Sequence, residues 1–272
     1  MTKKIRVESA VVTVVTALIL VAAMFPLFWM FSSSFKSQAE IIASDFFPAT
    51  LVFENYSIIL RRARVISWLW NSVIVASSTT VAAILVSLFA GYSLGRLRFP
   101  GRNLFYMIVL SGFMFPIHSI MIPLFLMLRN FGLINTHAGI IFPLIVHPVS
   151  VLVITQFLRA IDNEFEDAAR IDGANEMRIL FQIMVPMALP AIATVSIFVF
   201  TYSWNEFLWP LLIAQSDRMY TLPVGLATLA SSDVNVRFGP IMAANVIATL
   251  PVMIVYMLFQ KRIVSGVALE TR

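Results

Sequence analysis

Charged residues are spaced along this chain so that six long stretches carry none: Ser9 to Phe35, Val65 to Gly95, Asn103 to Leu128, Asn130 to Leu158, Ile179 to Asn205 and Phe238 to Gln260. The shortest holds 23 residues, against the about 20 that a helix needs to cross the hydrocarbon of a bilayer. The runs lack a period of two and are too long for barrel strands, so they predict helices and not a membrane β-barrel. The expected fold is therefore an all-α membrane protein with six transmembrane helices, near 9–32, 67–95, 103–128, 138–158, 180–213 and 239–260, in a single transmembrane domain over 1–272. No internal repeat divides it, which argues against a secondary transporter built from two related halves.

Composition gives the same solvent. Hydrophobic residues make up 60% of the chain and charged residues 12%, with a mean hydropathy of +0.89, far from a soluble domain. With the N-terminus inside, Lys3, Lys4, Arg6, Arg96, Arg98, Arg102, Arg159, Arg170, Arg178, Lys261, Arg262 and Arg272 fall on the inner side, 12 of the 19 Lys and Arg residues. That excess predicts an N-in, C-in topology, although Arg61, Arg62 and Arg64 then lie outside at the end of a longer segment. The net charge of +5 reads as this topology signal beside anionic headgroups, with no nucleic acid required. A cleavable signal peptide is the rival reading of the start, but the apolar run continues past Val21-Ala22-Ala23 through Phe25-Pro26 to Phe31, which predicts an uncleaved first helix. With no cysteine and three scattered histidines, neither disulfides nor a metal site are expected.

Between the spans, the stretch from about Ser32 to Ile66 is expected to lie along the outer surface, partly as an interfacial helix. The turn from Arg96 to Arg102 is a tight inner anchor. Prolines at 116, 123, 186, 190, 210 and 251 mark kinks that neighbouring helices or water can satisfy.

The polar segment 159–178, between the fourth and fifth spans, carries the chemistry. Asn163 and Glu166 have capping-box spacing, Glu166 and Arg170 are placed for an i,i+4 pair, and Gly173 is a natural left-handed stop. Between them Ala168 and Ala169 offer a small-residue face, with Phe165 and Ile171 as apolar contacts. Two readings stay open from the residues alone: a handle seated in a soluble partner, or a solvated loop helix.

Asp167-Ala168-Ala169, Asp172-Gly173-Ala174, Ile183 and Pro186 resemble the EAA loop of ABC importer inner-membrane subunits, with Asp167 where glutamate is usual and Val185 where leucine precedes the proline. Asn55-Tyr56, Asn71-Ser72, Tyr92-Ser93-Leu94-Gly95-Arg96, Phe99-Pro100-Gly101, Trp204-Asn205-Glu206-Phe207, Thr221-Leu222-Pro223-Val224-Gly225-Leu226 and the run Gln260 to Gly266 extend the likeness to the carbohydrate-uptake branch, close to its smaller maltose-type permease subunit. The resemblance implies a type I importer permease whose coupling helix, Glu166, Asp167, Ala168, Ala169, Asp172, Gly173 and Ala174, docks on a cytoplasmic ATPase. It implies a homologous permease, two ATPase subunits that hold ATP and Mg, an extracytoplasmic binding protein and a sugar-type solute. It also implies a multi-pass place in a bacterial or archaeal plasma membrane. The tail Leu269-Glu270-Thr271-Arg272 departs from the small-residue tail of that branch, which in relatives contacts the ATPase.

Glu206 is an ionisable group at membrane depth, which suggests a role, and with Asn71, Ser203, Asn205 and Asn245 as hydrogen-bonding groups it is a candidate for the translocation path. The competing reading of Asn205 and Glu206 is a hydrogen bond to a neighbouring helix or to broken backbone near Pro210. His118 and His147 read as interhelical hydrogen-bonding groups. Gly-Lys occurs nowhere, so a phosphate-binding loop is absent and the chain is not expected to hydrolyse ATP. Other readings remain: an ABC permease for a polyol or glycerol phosphate, and an ion-coupled secondary carrier resting on Glu206 alone. An intramembrane enzyme lacks His-Glu-x-x-His, paired intramembrane aspartates and a Ser/His pair at useful spacing.

Overall fold

The computed structural model describes residues 2–61, 63–232 and 237–267. Arg62 and the tail residues 269–272 on which expectations were placed lie outside the described residues. Helices appear in the order α1 (Thr2–Ser33), α2 (Gln38–Ile42), α3 (Glu54–Arg61), α4 (Ala63–Gly95), α5 (Arg102–Met114), α6 (Met121–Asn130), α7 (His137–Ile141), α8 (Pro148–Ala160), α9 (Glu164–Ile171), α10 (Glu176–Ile179), α11 (Val185–Met187), α12 (Leu189–Asn205), α13 (Leu208–Ile213), α14 (Leu222–Ser232) and α15 (Phe238–Val267). Short 3-10 turns precede α6, follow α7 and precede α14, and a π turn, Leu180–Met184, joins α10 to α11. No strand occurs among the described residues.

Among the described residues three helices, α1, α4 and α15, are long and apolar enough to cross a bilayer unbroken. The remaining apolar length is in three bent pairs, α5 with α6, α7 with α8 (47°) and α10–α11 with α12 (78°). Proline chemistry accounts for two of these breaks directly. The residue before proline is driven out of the helical region, and Phe115 (φ −92, ψ 115) before Pro116 and His147 (φ −115, ψ 101) before Pro148 are both extended. The third break falls at Ala188 (φ −85, ψ 6), two residues before Pro190. Pro26 and Pro251 lie inside unbroken helices.

The chain divides into two compact units. One comprises Met1–Ile66 with Leu226–Leu250. Its organising feature is Lys36, a fully buried lysine whose Nζ donates to the Asp45 carbonyl at 2.6 Å and lies 4.3 Å from the Trp29 ring centre. Burial lowers the Lys36 pKa, and the charges of Asp45 and Glu40 oppose that shift. Asn55 donates to the carbonyls of Ser34 and Lys36 at 2.9 Å each, closing α3 onto the end of α1. Glu40 and Ser37 form a full capping box on α2.

The other unit comprises Ser67–Gly225 with Pro251–Arg272. Its larger core gathers Leu88, Tyr92, Ile154, Leu158, Ile179, Met184, Ala188 and Val195. In a bilayer, helices associate through close packing and not by expulsion of water, so small residues mark the contacts. Gly91 and Gly95 are such residues: a Cβ on Gly91 would sit 2.7 Å from Ile154 Cγ2, and one on Gly95 would sit 3.3 Å from the Thr155 carbonyl oxygen. The last turns of α4 therefore press directly on α8. A second core surrounds Trp209, whose Nε1 donates to the carbonyls of Gly139 and Ile140 at 3.2 Å each.

Gly91→Ala is expected to lower the thermal unfolding midpoint of the detergent-purified protein, because overpacking costs about 1–3 kcal/mol. Gly112→Ala, whose Cβ would meet only Pro148 at 3.4 Å, should leave the midpoint within experimental scatter.

Candidate functional site

The segment after α8 folds back on the end of α4 through a buried ion pair. Arg96 follows the last residue of α4, and its Nε donates to Glu166 Oε1 at 2.7 Å, with the two side chains 4% and 5% exposed. Its Nη1 donates to the carbonyls of Ile161 at 2.7 Å and Leu158 at 3.2 Å where α8 ends, the latter also accepting the Ile161 N–H at 3.3 Å. Arg159 returns the contact, its Nη2 donating to the Leu94 carbonyl at 3.0 Å while its guanidinium lies 4.6 Å from the Tyr106 ring centre.

Glu166 is spent on this pair, and the expected capping box is absent. Asn163 is helical (φ −66, ψ −24) with no side-chain cap bond. A buried arginine draws the carboxylate inward more strongly than an exposed backbone N–H would. The carbonyl of Asn163 still accepts from the N–H groups of Glu166 and Asp167 at 3.0 Å. Glu164, Glu166 and Asp167 in the first turn and Arg170 in the last also suit the dipole of α9.

The stop is the one that the glycine predicts. Gly173 has φ +77, its N–H bonds to the Arg170 carbonyl at 3.0 Å, and the Ala174 N–H bonds to the Ala169 carbonyl at 2.9 Å, the paired pattern of a Schellman cap. Ala169 is buried in the larger core and Ala174 packs against it. Beyond the cap, Glu176 accepts from Tyr92 Oη at 2.5 Å and from Arg170 at 3.1 Å. Arg170 lies 3.7 Å from Glu166, as the i,i+4 spacing predicts. Partial burial opposes the Arg170 charge, but Glu176 and Glu166 outweigh it and raise its pKa above the ordinary value.

The expected coupling residues thus divide between two faces. Glu166 and Ala169 face the chain's own interior, and Ala174 is half-buried. Asp167, Ala168, Asp172 and Gly173 are exposed, together with Phe165 and Ile171, the latter 86% exposed. A small, flat, partly apolar face is left outward on a helix fixed from behind. Arg96, Tyr92, Glu176 and Arg159, which hold it there, were not singled out as site residues from sequence. The available signal was the i,i+4 placement of Tyr92 and Arg96 at the end of a span, opposite an acidic loop.

The candidate path residues are not gathered in one place. Asn205 and Glu206 line an open groove of about 600 Å³ along one face of α12, with Thr194, Ile197, Phe198, Thr201 and Tyr202. Asn205 donates to the Thr201 carbonyl at 2.8 Å, and Glu206 Oε1 accepts the Trp209 N–H at 3.2 Å where α12 gives way to α13. Glu206 therefore serves backbone near Pro210, whereas Asn205 bonds within its own helix, and both line the groove. Ser203 is buried, and its hydroxyl has no partner among the described residues. Asn71 donates to the carbonyls of Arg218 (2.7 Å) and Tyr220 (2.9 Å) and pairs with His137 Nε2 (3.0 Å), pinning the segment before α14 to α4. Asn245 belongs to the other unit, half-buried in α15. His147 sits at the α7–α8 break, with ring centres 5.1 Å from Phe198 and 5.3 Å from Tyr202.

Residues 83–269 match the family described as binding-protein-dependent transport system inner membrane component. The chain is 38% identical to the diacetylchitobiose uptake system permease protein NgcG of Streptomyces coelicolor, over 92% of this chain and 84% of that one. It is 36% identical to the arabinooligosaccharides transport system permease protein AraQ of Halalkalibacterium halodurans, over 95% and 94%. A chain of a bacterial ABC transporter involved in import of the acidic polysaccharide alginate superposes with a TM-score of 0.86 at 26% identity, covering 94% of this chain and 96% of that chain.

Glu166→Ala would leave Arg96 buried without its counter-charge, a loss of about 3–5 kcal/mol. The thermal midpoint of the purified protein should fall accordingly and stay low at high salt, because buried pairs are little screened. Asp167→Ala, on the exposed face, should change stability by less than about 0.5 kcal/mol.

Proposed function

The chain belongs to the family of binding-protein-dependent transport system inner membrane components, and from that premise we propose that it is one of two membrane subunits of an ATP-driven importer for a sugar or sugar-like solute. Members of this family are non-catalytic permease components of the inner membrane, and ATP is hydrolysed on a separate subunit. The proposed assembly adds a homologous permease, two ATPase subunits carrying ATP and Mg, and an extracytoplasmic binding protein. The proposed topology has six spans, each bent pair counting as one, with both termini and α9 on the cytoplasmic side.

The observation that carries this reading is the division of α9 into two faces. Its inner face is tied to α4 and α8 by Arg96 and Glu166, and its outer face offers Phe165, Ala168 and Ile171 to a partner. Closure of an ATPase dimer around that outer face moves α9, and the ties pass the movement to α4 and α8. The membrane helices then exchange an inward-open for an outward-open arrangement, two states whose balance ATP and the loaded binding protein shift. The groove on α12, with Asn205, Glu206 and Tyr202 beside an apolar wall of Ile197 and Phe198, is the proposed solute-facing surface. Hydroxyl groups would meet its polar side chains, and the carbon face of a sugar ring its aromatic ones. The names of the saccharide permeases NgcG and AraQ support the solute class.

Gly173→Asp tests the reading. A side chain in the left-handed cap costs about 1–2 kcal/mol, and the carboxylate would stand at the docking face. The variant should reach the membrane at the normal level, lose co-purification with the ATPase and take up solute at least about tenfold more slowly, the range of one lost cap and contact. Normal ATP-driven uptake by this variant, or uptake by the unmodified chain that follows membrane potential and ignores ATP, would overturn the proposal.

A further inference from the structure

α9 and α10 are attached to α4 at two points, and the two are related by helical spacing. Tyr92 in the last turn of α4 and Arg96 directly after it are four residues apart, and the Arg96 N–H bonds the Tyr92 carbonyl at 2.8 Å, which keeps the two on one face. Arg96 holds Glu166 at 2.7 Å, on the near side of the Gly173 turn. Tyr92 donates to Glu176 at 2.5 Å, on the far side of it. Arg170 connects the two acids, 3.7 Å from Glu166 and 3.1 Å from Glu176. A helix held at one point can pivot about it, so a push is passed on as translation but a rotation is lost. A helix held at two points carries both.

We infer that Tyr92 and Arg96 form a two-point clamp that makes the end of α4 turn as well as shift with α9, and that they are positioning residues for coupling. The clamp is stiff because its members are committed elsewhere too. Arg96 also holds the carbonyls that end α8, and Gly91 and Gly95 leave no gap between α4 and α8. The end of α4, the end of α8 and the α9–α10 turn thus constitute one moving body. The inference rests on the proposed coupling function and adds which residues set the solute moved per ATP.

Two variants remove one point each without emptying the core. Tyr92→Phe keeps the ring and loses only the hydroxyl that reaches Glu176. Arg96→Lys keeps a cation for Glu166 but lacks the planar fork that also reaches both carbonyls. The importer is reconstituted in liposomes with its ATPase and binding protein, and uptake and ATP hydrolysis are measured per assembled complex. The expected result is a fall in solute moved per ATP of about threefold for Tyr92→Phe and about tenfold for Arg96→Lys, the scale of a lost hydrogen bond and of a weakened buried pair. The double variant should fall well below either single variant, since a helix released at both points passes on neither rotation nor translation.

The chain contains no cysteine, so spin labels at Ser93→Cys on α4 and Glu164→Cys on α9 report the clamp directly. Their separation should be unchanged by ATP in the unmodified clamp and should broaden with ATP in Tyr92→Phe. A purely structural role would lower the yield of complex and leave the ratio per complex unchanged. That result, or an unmodified clamp whose label separation changes with ATP, would overturn the inference. If the unmodified complex shows no ATP-driven uptake at all, the coupling function itself fails, an outcome distinct from failure of the clamp.

Discussion

A charge pair taken out of water is costly, and it persists only where other bonds complete it. Arg96 and Glu166 largely meet that condition because Nη1 of the guanidinium also finds the carbonyl oxygens of Leu158 and Ile161 at the end of α8, while Nη2 has no partner among the described residues. One side chain therefore closes the end of one helix, neutralises the first turn of the next and fixes both to the end of α4. The exposed face of α9 follows from this constraint, since a helix held from behind presents its remaining side chains in one orientation. The left-handed cap at Gly173 then turns the chain sharply enough for Glu176 to come back to Tyr92.

The membrane imposes a second constraint, that every backbone group out of contact with water find a partner. Bends at Ala188, His147 and Phe115 break the helical ladder, and each falls near a proline that would have lacked a donor anyway. Side chains repair part of the rest. Glu206 receives the Trp209 N–H where α12 ends, and Trp209 caps the carbonyls of Gly139 and Ile140. The groove on α12 reaches this break at Glu206, so one residue proposed to meet solute also holds the break in shape.

Much of this was legible in the sequence for a simple reason: apolar length and charge spacing are local properties. The all-α character, the apolar segments and the stop at Gly173 depend on residues close in the chain. The Glu166 cap was misread because its true partner, Arg96, lies 70 residues away, and a local rule has no access to a distant competitor. Asn71 reads equally well from sequence as a polar group facing solute or a bracket for backbone, and only the fold brings Arg218 and Tyr220 to it. The bends were legible as prolines but not as angles, because Pro26 and Pro251 remain inside unbroken helices while Pro116 and Pro148 stand at breaks.

The central claim is that α9 presents Ala168 to the cytoplasm and that an ATPase covers it. The most direct measurement places a single cysteine at Ala168 in this cysteine-free chain and follows its modification by a water-soluble maleimide in membranes of each orientation, with and without the ATPase. The account predicts modification from the cytoplasmic side alone, and protection when the ATPase is bound. Modification from the outer side, or equal modification with the ATPase present, would contradict it.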